Sequence, residues 1–132
     1  MQTIGKDLAI ELGQDRPGML AKAAEAIAKA NVNIEGYSEA QGLLHVLTKD
    51  PAATRRAVEA AGFKVREERD VVIADAEDRP GTAARIFRQI ADAEVNIDFT
   101  YSLASTRLVV GSKDFAKLKE ALHAEMPTTA RM

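Results

Sequence analysis

At 132 residues, with 46% hydrophobic and 29% charged side chains and a formal net charge of −2, the chain has the composition of an ordinary water-soluble globular protein. Its Lys and Arg residues are scattered, which gives no footprint for nucleic acid, and the absence of cysteine removes disulfides, thiol catalysis and cysteine-ligated metals. The start, Met1 to Asp7, lacks a signal peptide's apolar core and no apolar run approaches the roughly 20 residues that cross a bilayer, so no membrane partner and a cytoplasmic location are expected.

Leu8-Ala9-Ile10-Glu11-Leu12 is short and mostly apolar and predicts a strand. Gly13 to Gly18 breaks it. A helix is expected from there, because proline suits a first helical position and Asp15, two residues before Pro17, can cap free N–H groups. Leu20, Ala23, Ala24 and Ile27 form an apolar stripe at helical spacing, with Lys22, Glu25 and Lys29 outside. Asn31-Val32-Asn33 ends that helix. Ile34 to Ser38 and Leu43 to Thr48 predict a hairpin joined through Gly42. Asp50-Pro51 opens a second helix, Gly62 stops it, and Phe63-Lys64-Val65-Arg66 alternates like a half-buried strand.

That order then repeats. Asp15-Arg16-Pro17-Gly18 returns 63 residues later as Asp78-Arg79-Pro80-Gly81, and Val32-Asn33-Ile34 returns as Val95-Asn96-Ile97. With one extra residue placed near Phe99 the offset becomes 64, so that Tyr37-Ser38 falls on Tyr101-Ser102, and Leu44 and Val46 fall on Leu108 and Val110. The second copy has a strand at Val71 to Ala74, a helix at 80–93, a hairpin from Ile97 to Leu103 and Arg107 to Val110, and a last helix from Ser112 to Ala124. Ala23-Ala24 corresponds to Ile86-Phe87, so the second core carries bulkier groups. Met126 to Met132, with Pro127, looks little like a strand; the second copy lacks its fourth strand or borrows one.

Strand, helix, strand, strand, helix, strand is the split βαβ order of the ferredoxin-like fold. The expected class is α+β: two ferredoxin-like βαββαβ units, residues 1–69 and 70–132, each an antiparallel sheet with both helices on one face. The other face would be open or covered by a partner. Units this small bury only about 60% of their unfolded surface, so each is expected to pack against its twin or a second chain.

The repeated turn carries the chemistry. A strand that runs through Asp-Arg-Pro-Gly into a helix aims unpaired N–H groups and the positive end of the helix dipole at one spot. Glycine lets a ligand approach closely, and a carboxylate binds well in such a place. The amides belong to Met19-Leu20 and Thr82-Ala83, just after Gly18 and Gly81. The plainer alternative is that Asp-x-Pro-Gly is merely a good helix start, and that Asn33 and Asn96 simply end helices.

Asp15-Arg16-Pro17-Gly18 with Asn33-Ile34, and Asp78-Arg79-Pro80-Gly81 with Asn96-Ile97, resemble the ACT domain family of small-molecule-binding regulatory modules in amino-acid metabolism. Phe99 to Leu103 also resembles the second strand of the regulatory tandem in aspartate kinases. The resemblance covers roughly residues 6 to 124. It implies a tandem ACT protein, non-catalytic and without cofactor or metal, binding a free amino acid at ACT–ACT interfaces. It would signal occupancy to an enzyme or regulator of amino-acid metabolism, or to its own oligomer, expected to be a dimer. The turn amides of Gly18 to Leu20 or Gly81 to Ala83 would hold the ligand carboxylate. Asn33-Ile34 or Asn96-Ile97 of a facing unit would take the ammonium and side chain. Asp15 and Asp78 would cap the helix and add a polar contact. Read from the residues themselves, Arg16 and Arg79 either steer the carboxylate or stand solvated in their turns, and the equivalent Tyr37 and Tyr101 either line the pocket or anchor the sheet. Gly36 stands near where the second copy has Phe99-Thr100, so the two pockets would differ.

No phosphate loop, dinucleotide fingerprint or metal-ligand spacing is present. His45 and His123 have no neighbouring carboxylate or serine arranged for a triad. The rival reading is an interaction module that oligomerises with its sites empty.

Overall fold

The computed structural model describes residues 2–13 and 16–125. Asp15 and the segment 126–132, singled out above, lie outside the described residues. The elements are β1 (Thr3–Glu11), α1 (Met19–Lys29), β2 (Ile34–Ala40), β3 (Leu43–Thr48), α2 (Pro51–Ala60), β4 (Lys64–Asp75), α3 (Thr82–Asp92), β5 (Phe99–Leu103), β6 (Arg107–Gly111) and α4 (Phe115–Ala121). The chain divides into two compact units, residues 6–69 and residues 1–5 with 70–132. The divisions fall inside β1 and β4, so each of these strands serves both units.

In the 6–69 unit β3 pairs antiparallel with β1 and with β2. Alternation sends Leu8 and Ile10 of β1, with Leu12 just past its end, and Leu44 and Val46 of β3 to one face, where they meet Ala23 and Ile27 of α1 and Val58 of α2. Both helices therefore cover that face. Residues of the alternate set, Asp7, Ala9 and Leu47, are also buried, so the other face is not open as the sequence allowed. Burial on both faces explains the unbroken run Leu8-Ala9-Ile10. Pro51 begins α2 as expected, and Asp50 caps it by accepting the Ala53 N–H at 3.0 Å. The Gln41-Gly42 turn has both residues at positive φ, 52° and 80°, which suits the twist of a two-residue hairpin.

In the 70–132 unit β6 pairs antiparallel with β4 and β5. Val72, Ala74 and Val110 pack with Ile86 and Ile90 of α3 and Leu118 of α4. The last helix is shorter than the Ser112 to Ala124 span expected. Asp114 caps it through the Lys117 N–H at 3.3 Å, and His123 leaves it at φ 54°. Glu125 bridges to Thr3 in parallel, its N–H donates to the Gln2 carbonyl at 3.0 Å, and its carbonyl accepts from Ile4 N–H at 3.1 Å. Ile4 also packs on this unit's core. The start of β1 thus belongs with the second unit.

Pairing register corrects the alignment of the copies. Gly36, Tyr37 and Ser38 lie opposite Leu47, Val46 and His45, while Phe99, Thr100 and Tyr101 lie opposite Gly111, Val110 and Val109. Tyr37 is therefore equivalent to Thr100, not to Tyr101. The extra residue sits in the hairpin turn, Gln41-Gly42 against Ala104-Ser105-Thr106, and not near Phe99. Because side chains alternate along a strand, the two tyrosines face opposite sides of their sheets. Tyr37 is 61% exposed and Tyr101 only 7%. The same register shows a size exchange: Gly36 faces Leu47 in one copy, and Phe99 faces Gly111 in the other.

Candidate functional site

Both β–α turns end on a left-handed glycine. Gly18 (φ 93°) and Gly81 (φ 91°) are the N-caps, and the helices start at Met19 and Thr82. Pro17 and Pro80 precede the caps and are not first helical residues, because a left-handed residue intervenes. Among the described residues neither glycine cap carries a side-chain bond, and Asp78 stands exposed on the cleft wall. The cap carbonyls begin the helical ladder, Gly18 accepting from Lys22 N–H and Gly81 from Arg85 N–H, both at 2.9 Å. The preceding N–H groups have no intrahelical partner by geometry. Thr82 turns its N–H back to the Arg79 carbonyl at 3.3 Å, which leaves Ala83 and Ala84 as the outward donors of α3.

Each turn faces the hairpin of its own unit across a cleft. In the 6–69 unit the cleft is about 570 Å³ and lies between Arg16, Gly18, Met19 and Leu20 on one side and Glu39, Gln41 and Gly42 on the other. In the second unit it is about 290 Å³, between Asp78, Arg79, Thr82 and Ala83 and Ser102, Thr106 and Arg107. One bond braces both: Leu12 N–H donates to Gly42 carbonyl at 2.8 Å, and Ala76 N–H donates to Thr106 carbonyl at 2.9 Å. Arg16 leans on Met19 Sδ at 3.3 Å, while Arg79 is held by Glu77 at 2.9 Å. The first cleft is the roomier of the two. The hairpin residues escaped the sequence reading, since only the fold brings them over the turn.

Other expected site residues lie elsewhere. Asn33 and Asn96 are exposed beyond the far ends of α1 and α3, and an 11-residue helix such as α1 is about 16 Å long. Within a unit neither asparagine joins the turn. The residues that stop the helices are Asn31 and Glu94, left-handed at φ 61° and 60°. Ile34 lines a separate apolar cavity, and Ile97 packs against its core. Tyr101 is buried and stacks on Phe99 with ring centres 6.3 Å apart. Elsewhere, His45 Nδ1 lies 2.8 Å from Oδ2 of the buried Asp7, a carboxylate partner 38 residues distant that the sequence did not reveal. Among the described residues no group of His, Asp and Glu is arranged for a metal.

A Cβ at either cap glycine would meet nothing within 4 Å, so substitution acts through the backbone alone. Gly81→Val is expected to lower stability by about 2 kcal/mol, the scale of forcing a left-handed conformation on a branched residue. Its far-UV circular dichroism should stay close to the parent's. Equal denaturant midpoints for variant and parent would contradict the left-handed cap.

No protein-family model and no curated protein sequence matches the chain. Solved structures do. A protein of Bacteroides thetaiotaomicron is 25% identical with a TM-score of 0.80, over 92% of this chain and 88% of that one. The ligand-free regulatory subunit of aspartate kinase from Thermus thermophilus is 17% identical with a TM-score of 0.63, over 92% of this chain and 93% of that one. Aspartokinase III of E. coli, in complex with lysine and aspartate, is 15% identical with a TM-score of 0.55. This chain is covered over 92% there but spans only 32% of that enzyme. The fold is thus the mixed α/β, ACT-type fold of aspartate kinase regulatory domains, with four helices and six strands among the described residues.

Proposed function

We propose that the chain is a tandem of two ACT domains, each a ferredoxin-like βαββαβ unit, and that it senses a free amino acid without catalysing a reaction. The observation that carries this reading is the duplicated, open, glycine-capped helix start, facing a cleft in each unit. The α1 or α3 amides hold the ligand carboxylate, with Arg16 close by in the first unit. Asn33-Ile34 or Asn96-Ile97 of a facing domain, in a homo-oligomer, takes the ammonium. Occupancy then favours one arrangement of the assembly over another, by as much as the ligand's affinities for the two differ. That difference is passed to an enzyme or regulator of amino-acid metabolism, or to the oligomer itself. Likeness to regulatory subunits and domains supports the reading.

Calorimetry and thermal shift of the full chain against the twenty amino acids test it. One ligand is expected to bind and, at about 100 times its Kd, to stabilise the protein by about 2.7 kcal/mol. If none binds at millimolar concentration while the oligomer forms regardless, the chain is an interaction module and not a sensor.

A further inference from the structure

We infer that the amino-acid site of the 6–69 unit selects a large apolar side chain, aromatic or branched aliphatic, which enters the apolar cavity between α1 and the β2–β3 hairpin. The inference rests on the reading of the α1 turn as a carboxylate site.

The cavity holds about 380 Å³ and is walled by Leu20, Ala24, Ile34, Tyr37, Leu44 and Val46. The sister unit shows what fits such a space. Its counterpart of Ala24 is Phe87, which packs on that unit's core, as do Ile97 and Leu108, the counterparts of Ile34 and Leu44, while Val110, the counterpart of Val46, belongs to the core itself. One copy fills its framework with a benzyl group of its own; the other replaces that group with a methyl. The aromatic residue on β2 does not make good the loss, because Tyr37 remains 61% exposed.

A second observation points to an occupant. Among the described residues, the large hydrophobic side chains left exposed are Leu20 (39%) and Tyr37 (61%), and both line this cavity. A ligand side chain lying between them removes both from water, and its ring can stack against that of Tyr37. Leu20 also walls the polar cleft that contains Gly18 and Arg16. One molecule with a carboxylate at the α1 amides and an apolar group one turn along the helix therefore reaches both spaces. In the second unit Phe87 occupies the equivalent apolar framework, so the two sites of one chain differ in what they accept.

The test is calorimetry on the full chain with L-phenylalanine, L-leucine and L-isoleucine against L-serine, L-aspartate and L-lysine. The apolar set is expected to bind about 30-fold or more tighter, the scale of burying such a side chain. Ala24→Phe, which copies the plug of the sister unit, should weaken that binding by about 30-fold with circular dichroism and Tm retained. Should Ala24→Phe fail to fold, Ala24→Leu and Tyr37→Ala serve, each expected to weaken binding by about tenfold. A preferred serine, aspartate or lysine whose affinity Ala24→Phe leaves unmoved overturns the inference and leaves the turn reading intact. The probe 3-phenylpropionate, followed through the methyl NMR signals of Leu44 and Val46, separates the two ideas. If it shifts those signals while no amino acid binds, the apolar site stands and the amino-acid reading falls. If neither it nor any amino acid binds, the inference is wrong.

Discussion

Gly111→Leu is expected to cost about 3 kcal/mol, the upper range for overfilling a packed site, and to lower Tm by roughly 10 °C. Gly111 is buried on β6 directly opposite Phe99, and a Cβ built there would lie 2.3 Å from the ring's Cζ, far inside contact distance. The ring in turn stacks on Tyr101, which is 7% exposed, so it has little room to retreat. Phe99 covers a glycine in a strand, a known way of making good the side chain that glycine lacks. The first copy holds the reverse arrangement, Gly36 opposite Leu47. The double variant Phe99→Gly with Gly111→Leu rebuilds that pair and should recover much of the lost stability. Its deficit is expected to be smaller than the sum of the single deficits, as for residues sharing one volume. Additive losses in a double-mutant cycle would show that the two positions do not compete for the same space.

His45→Ala is expected to destabilise the chain by about 3 kcal/mol, the scale for removing one partner of a buried pair. Asp7 is 1% exposed, and the His45 ring nitrogen lies 2.8 Å from its carboxylate. The pair bridges β1 and β3, whose register places Asp7 opposite Leu47 and His45 opposite Ala9. Without the imidazole the carboxylate stays in the interior with less to satisfy it, and an unsatisfied buried group costs its full desolvation. Asp7→Ala in the same background should restore part of the loss, since it removes the buried carboxylate that has lost this bond. Urea unfolding of the two single variants and the double variant measures this. A His45→Ala variant as stable as the parent would mean that the bond contributes nothing.

Much of the architecture was legible because it is written in local patterns. The apolar run Leu8 to Leu12 and the segment Leu43 to Thr48 declared their strands, and the stripe of Leu20, Ala23, Ala24 and Ile27 declared the helix between them. Asp50-Pro51 announced α2 with its capping acceptor in place. The duplicated Asp-Arg-Pro-Gly placed both candidate sites on helix starts. The cap itself was misread: proline was expected to open the helix, whereas the left-handed glycine after it takes the cap. Identity of Tyr37-Ser38 with Tyr101-Ser102 suggested an equivalence that strand pairing does not honour. A hairpin of three turn residues instead of two absorbs the extra residue, because a slip inside the strand would move every side chain to the wrong face.

The sequence by itself determined that the chain is two copies of one element order, each with a glycine turn leading into a helix. Those features depend on short-range properties: the period of apolar residues, the conformational freedom of glycine, and the capping chemistry of Asp50. Only the tertiary structure decided which residues meet. It set Phe99 against Gly111, gave Asp7 to His45, brought the hairpin turns over the clefts, and left a cavity beside Ala24. The physical reason is that register and packing are settled between side chains tens of residues apart, whose complementary sizes and charges become visible only once the strands are paired.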